Sequence, residues 1–146
     1  MKSEPSVFSI DDLAGTPRRT TAWDGVRNFQ VRNWLRDTIR AGDEAFFYHS
    51  SCETPGIAGV MKVVKAGYPD PTQFDPNDHH HDPRSRPDNP LWYCVDVRFV
   101  CKFQRVIGLD ELREHRALAG MRVLQRGNRL SVTPVTRAEW LCIARL

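Results

Sequence analysis

The chain has no hydrophobic run near the roughly 20 apolar residues that a membrane-spanning helix needs, so no membrane span is expected in its 146 residues. Its start, Met1-Lys2-Ser3-Glu4-Pro5, lacks the apolar segment of a secretory signal, and a cytoplasmic location is expected. Cys52, Cys94, Cys101 and Cys142 show neither a CxxC pair nor zinc-ligand spacing, so reduced, mostly buried thiols are expected. Catalytic signatures are also missing: there is no Walker loop, GxGxxG, GxSxG or HExxH. Ser50 and Ser51 follow His49, but neighbouring residues on a strand point to opposite faces, which argues against a nucleophile–base pair there. His79, His80 and His81 lie between Asp78 and Asp82. Three consecutive imidazoles do not easily converge on one tetrahedral ion, so neither a metal nor a cofactor is expected. Lysine is scarce, 4 against 17 arginines in a chain of net charge +3. The guanidinium fork suits phosphate and stacks on bases, but high-GC coding enriches arginine as well. Composition therefore permits an anionic partner without requiring one.

What is present fits one domain: 40% of residues are hydrophobic and 27% charged, ordinary for a globular chain of this length. Ser9 with Asp12 forms a capping-box pattern for a short helix stopped by Gly15, and residues 16–22 are polar and loop-like. Val31, Trp34, Leu35 and Ile39 recur at helical spacing, which predicts an amphipathic helix from Arg27 to Ile39 with a stripe of Arg32, Arg36 and Arg40 on another face. Glu44 to His49 and Gly56 to Val64 read as a hairpin around Thr54-Pro55-Gly56. Tyr68 to Pro90 holds six of the ten prolines and five aspartates, so a long loop is expected. Tyr93 to Phe103 alternates apolar and polar over a long strand. Leu109 to His115 reads as a helix, Met121 to Leu124 as a turn, and Arg129 to Val132 as extended. Thr136 caps a last helix with Trp140, Ile143 and Ala144 towards the core. Strands and helices without βαβ alternation imply an α+β domain around a small curved sheet or barrel.

The segment Trp23-Asp24-Gly25-Val26-Arg27-Asn28 places an indole, a glycine, a guanidinium and an amide where a helix is about to begin. Helix starts attract anions, and an indole offers a base a stacking surface of about 1–3 kcal/mol. Trp92 follows the proline-rich loop and is a second candidate wall, while Trp34 and Trp140 sit in apolar helical stripes and read as core. Tyr48 and His49 are candidates for the edge of a base, or core filler.

Several ordered blocks resemble a known family. Met1-Lys2-Ser3-Glu4-Pro5, Trp23 to Asn28 with Val31-Arg32-Asn33, Phe47-Tyr48-His49-Ser50, Gly56-Ile57-Ala58-Gly59, Tyr68-Pro69-Asp70-Pro71-Thr72, Trp92-Tyr93 and Asn128 to Val135 are similar to the EVE domain family, which takes in the thymocyte nuclear protein group. The resemblance implies a PUA-like fold, a small β-barrel with peripheral helices, related to the YTH domains that bind methylated adenine in RNA. It implies a non-catalytic reader of a modified base, chiefly 5-substituted cytosine in DNA, with RNA also proposed, and a base flipped into an aromatic pocket. Mapped onto this chain, the pocket draws on Lys2, Ser3, Trp23, Asn28, Tyr48, His49, Trp92 and Ser131, with Arg27, Arg32 and Arg129 for the backbone. Relatives carry an aromatic-containing strand stub before Lys-Ser-Glu-Pro, which puts the Lys2-Ser3 edge in question. The alternatives are a module for modified or structured RNA, and a small-ligand protein or enzyme using the same pocket.

Overall fold

Five strands form one mixed sheet in the computed structural model, which describes residues 1–146. They are β1 (Lys2–Ser3), β2 (Thr20–Trp23), β3 (Glu44–His49), β4 (Gly56–Pro69) and β5 (Tyr93–Gly108), in the order β1-β3-β4-β5-β2. β1 is parallel to β3 and the other neighbours are antiparallel. The helices are α1 (Ile10–Gly15), α2 (Phe29–Asn33), α3 (Leu109–Glu114) and α4 (Arg137–Ala144). The expected α+β class is present. The strand ladder is open between β1 and β2.

β4 and β5 shift register at four places along their length, and such bulges bend strands and increase their twist. Both faces of the bent sheet are covered. Phe47, Met61, Val63, Val95 and Val97 meet Ile10 and Leu13 of α1 and Val31 of α2 on one face. Phe46, Tyr48, Val60 and Ile107 meet Leu112 of α3 and Ile143 of α4 on the other. Two apolar clusters thus flank the sheet, because adjacent residues such as Phe46 and Phe47 point to opposite sides.

The capping signals act as read. Ser9 and Asp12 form a capping box on α1, as do Thr136 and Glu139 on α4. Ile143 is buried, Trp140 half-buried, and Ala144 exposed rather than in the core. The helix expected from Arg27 starts later, at Phe29, where the Asn28 Oδ1 accepts from the Val31 amide at 3.1 Å. From Trp34 to Thr38 the helix widens, and the Ile39 amide donates to the Trp34 carbonyl five residues back at 2.8 Å.

Residues 16–22, expected as loop, contain β2, which pairs Thr20–Trp23 with Val95–Arg98 of β5. Four residues are too few to show a period, and only the pairing with β5 makes them a strand. Among the thiols only Cys94 is buried, where desolvation pushes its pKa up to about 12; Cys52, Cys101 and Cys142 are half-buried.

Candidate nucleic-acid interface

The turn from β2 to α2 docks onto the proline-rich segment through Arg27. The Arg27 Nη1 donates to Asp70 Oδ2 at 3.0 Å and to the Val26 carbonyl at 3.1 Å. Nη2 reaches Thr72 Oγ1 at 3.0 Å and the His80 carbonyl at 2.8 Å, and Nε reaches the same carbonyl at 3.1 Å. A guanidinium has five N–H donors, and all five are committed inside the protein. Arg27, expected to contact a nucleic-acid backbone, is thus engaged within the protein in this structure.

Asp70, 0% exposed, receives the other end of this clamp. Its Oδ2 also accepts from the Gly25 amide at 2.8 Å, and its Oδ1 from the Thr72 amide and hydroxyl at 2.8 and 2.6 Å. Burial alone would raise the Asp70 pKa, but the bonds from Thr72, Gly25 and Arg27 outweigh it and hold the carboxyl below its ordinary value. Gly25 adopts φ +76°, and a side chain there would run into the ring of His80. Only glycine joins the left-handed conformation to so close an approach.

Trp92 is 3% exposed and is not an open wall. Its Nε1 donates to Asp82 Oδ2 at 2.9 Å, and Phe29 stacks on it with ring centroids 4.6 Å apart. The Arg27 guanidinium carbon lies 5.4 Å from the Trp92 centroid, and that of Arg32 lies 4.9 Å from the Phe29 centroid. Arg32 also donates to the Leu91 carbonyl at 2.8 Å, so it is a strut between α2 and the loop rather than a free cation. Trp92, expected as a wall for a base, is here stacked by Phe29 and approached by the Arg27 guanidinium. Gln73, fully buried, ties the loop from within: its Nε2 donates to the Asp70 and Trp92 carbonyls, and its Oε1 accepts from the Leu91 and Trp92 amides. The bonds from Arg84 and the Trp92 indole hold the Asp82 carboxyl well below its ordinary value. The proline-rich segment is therefore an ordered loop with a polar interior.

Between the start of α2 and this loop lies an open cleft of about 440 Å³, lined by Arg27, Asn28, Phe29, His79 to Asp82, Arg84 and Trp92. Phe29 presents 47% of its surface, and the side chain of Arg84 is 67% exposed. Asp78, His79 and His80 place their ligand atoms within 4.8 Å of one another, so two of the three imidazoles do converge, through a tight turn. Asp24, exposed, precedes Gly25 and forms no ion pair. Partial burial raises its pKa first, then the charges of Asp70 and Asp78, against an opposing effect of His80.

The remaining expected residues lie elsewhere. Trp23 is 8% exposed and packs edge-on against Phe47 at 5.5 Å, in the core rather than as an open platform. The His49 Nε2 accepts from the Ile10 amide at 3.2 Å, at the start of α1, and burial lowers its pKa, as that neutral acceptor role requires. The Ser3 hydroxyl donates to the Phe8 carbonyl at 2.6 Å. Lys2, Tyr48 and Ser131 line a second, apolar cavity of about 290 Å³, walled by Trp34, Phe46 and Trp140 among others. The Lys2 amide donates to the Ser131 carbonyl at 2.7 Å, which holds this wall to β1. Arg129 is exposed and unpaired. The expected set is thus divided: Arg27, Asn28 and Trp92 share the cleft, and Lys2, Tyr48 and Ser131 share the cavity. Phe29 and Arg84 were not singled out from the sequence. The polar neighbourhood of Arg84 gave no periodic signal, while Phe29 falls outside the apolar stripe of its helix and carried a legible one.

The family model described as EVE domain matches residues 1–146. Thymocyte nuclear protein 1 of Homo sapiens is 50% identical over 156 residues, which covers 96% of this chain and 69% of that protein. The Danio rerio protein of the same name is 48% identical over 157 residues, covering 96% of this chain and 67% of its own length. A crystal structure of a Pseudomonas syringae protein superposes with a TM-score of 0.93 at 49% identity, covering 99% of this chain and 95% of that one. The crystal structure of human THYN1 protein in complex with 5-methylcytosine-containing DNA superposes with a TM-score of 0.90 at 48% identity, covering 99% and 94%.

Proposed function

The chain belongs to the EVE domain family, and from that premise we propose that it is a non-catalytic module that binds DNA and recognises a 5-substituted cytosine turned out of the duplex. The observation that carries this reading is the human THYN1 complex, whose protein shares nearly the whole fold of this chain and holds 5-methylcytosine-containing DNA. The β2–α2 turn and the adjoining cleft support it physically. Arg84 and the exposed edge of Phe29 face solvent beside a rigid, hydrogen-bonded wall. A base that has left its stack needs both a cation for its phosphate and apolar surface for its ring. Trp23 is the floor on which this turn rests, and Arg129 is a free cation for the backbone. Lys2, Ser3, Tyr48, His49 and Ser131 are proposed as support for the β1–β3 edge of the sheet.

The test is titration of labelled duplexes that differ only by one 5-methylcytosine in place of cytosine, with RNA of the same sequence alongside. The expected result is tighter binding of the methylated DNA, with affinity falling as salt rises because phosphate neutralisation releases counterions. Equal affinity for both duplexes, or preference for RNA, overturns the reading.

A further inference from the structure

Two of the residues lining the cleft, His79 and His80, stand with Asp78 in a cluster of metal-ligating side chains. Three imidazoles in a row do not easily meet at one ion, but the turn brings together two of them and a carboxylate. From this geometry we propose that Asp78 Oδ1, His79 Nδ1 and His80 Nδ1 bind a zinc ion, with water in its fourth position. The ion is independent of which nucleic acid the cleft takes.

A tetrahedral zinc ion with bonds of about 2.0–2.1 Å holds its ligand atoms about 3.3 Å apart. Asp78 Oδ1 lies 3.2 Å from His80 Nδ1 and 3.7 Å from His79 Nδ1, so two edges of such a tetrahedron are nearly formed. The ligand atoms of all three residues fall within 4.8 Å of one another. The His79 side chain is 85% exposed, so a small turn of its ring closes the third edge without disturbing the fold. The other imidazole is held from outside the cluster. The His80 ring lies so close to Gly25 that a Cβ there would come within 2.6 Å of its Cε1 and Nε2. The His80 carbonyl accepts from Arg27 Nε and Nη2 at 3.1 and 2.8 Å, which anchors the turn to the segment before α2. Partners that orient a ligand in this way distinguish a built metal site from a flexible histidine tract. Two imidazoles with one carboxylate suit a zinc-like ion, whereas magnesium and calcium take oxygen ligands.

The experiment titrates Zn²⁺, with Mg²⁺ as a control, into the whole chain after treatment with a chelator, followed by calorimetry. It compares wild type with Asp78→Asn, His79→Ala and His81→Ala. Wild type is expected to bind one zinc ion per chain with a micromolar dissociation constant, and no magnesium. His79→Ala removes an exposed ring, and Asp78→Asn keeps an oxygen for the His80 amide that now donates to it at 2.8 Å. Each should fold normally and lose about tenfold or more in zinc affinity. His81→Ala, outside the cluster, is expected to bind as wild type does. Co²⁺ provides a second readout: the strong visible absorption of a tetrahedral cobalt site should appear in wild type and His81→Ala, and not in His79→Ala. Wild-type binding weaker than millimolar overturns the site, as does unchanged affinity in both Asp78→Asn and His79→Ala. An equal loss in His81→Ala overturns it too, since the tract then has only the adventitious affinity of adjacent histidines.

Discussion

The cleft beside α2 and the cavity between β1 and α4 are concave in different ways. The cleft owes its shape to polar bonds: Arg27 uses all five donors, and Asp70 and Gln73 satisfy the backbone of a loop too rich in proline to form regular structure. The cavity owes its shape to aromatic packing, with Phe46 and Trp140 stacked at 3.9 Å. The polar wall is rigid and charged. The apolar wall offers chiefly stacking surface, with Asp43 and Glu44 among its few charged members. Recognition of a charged polymer at a specific base edge calls for the first kind of surface. The difference also separates residues that look alike in sequence: Arg27 spends all five donors inside the protein, while Arg84 pairs with Asp82 alone and keeps two thirds of its side chain exposed.

The comparison breaks first at Arg27. Arg27→Ala is expected to cost about 3–5 kcal/mol, because it leaves the Asp70 charge buried without its partner. Urea denaturation measures this, and unchanged stability with weakened DNA binding would return Arg27 to the role of a phosphate contact. Acidification is the next lever. The pKa values of Asp70 and Asp82 are depressed in the folded state, so the stability they contribute is present above the ordinary carboxylate value near 3.8. It is lost as pH falls through their lower folded values. Melting temperature should therefore fall steeply below about pH 4, and less steeply in Asp70→Asn, which starts from a lower plateau.

On the other side, Trp140→Ala is expected to lose about 1–3 kcal/mol from the stacked pair and its half-buried surface. Its selectivity for methylated DNA should stay at the wild-type level, as duplex titration would show. Loss of selectivity with stability preserved would move the base site to the cavity. The smallest effect belongs to Arg84→Ala. It should weaken all duplexes about equally and lower the salt dependence of log affinity by roughly one counterion, without changing the order of preference.

Local signals were legible wherever a few neighbouring residues suffice. The capping boxes at Ser9 and Thr136, the β3–β4 hairpin and the alternation of β5 all hold, as does the family resemblance. The candidate site was legible only as a region. Asn28, expected at a base edge, caps α2, and Trp92, expected as a wall, lies under Phe29. The stacking partner of Trp92 lies far along the chain, whereas the Asn28 cap closes on Val31 only three residues on. Phe29 lies outside the stripe of Val31, Trp34, Leu35 and Ile39, and that spacing already placed it on a different face of the helix.

The amino-acid sequence by itself determined most of the helices and strands, though not β2, together with the family and the kind of chemistry on offer, because periodicity, caps and motif blocks act over short spans. The tertiary structure alone decided which polar groups are spent internally and which remain free. A hydrogen-bond donor carries no mark in sequence of whether its acceptor is a residue 53 positions away, as for Arg27 and His80, or a ligand. That choice is made when the loop closes over the β2–α2 turn.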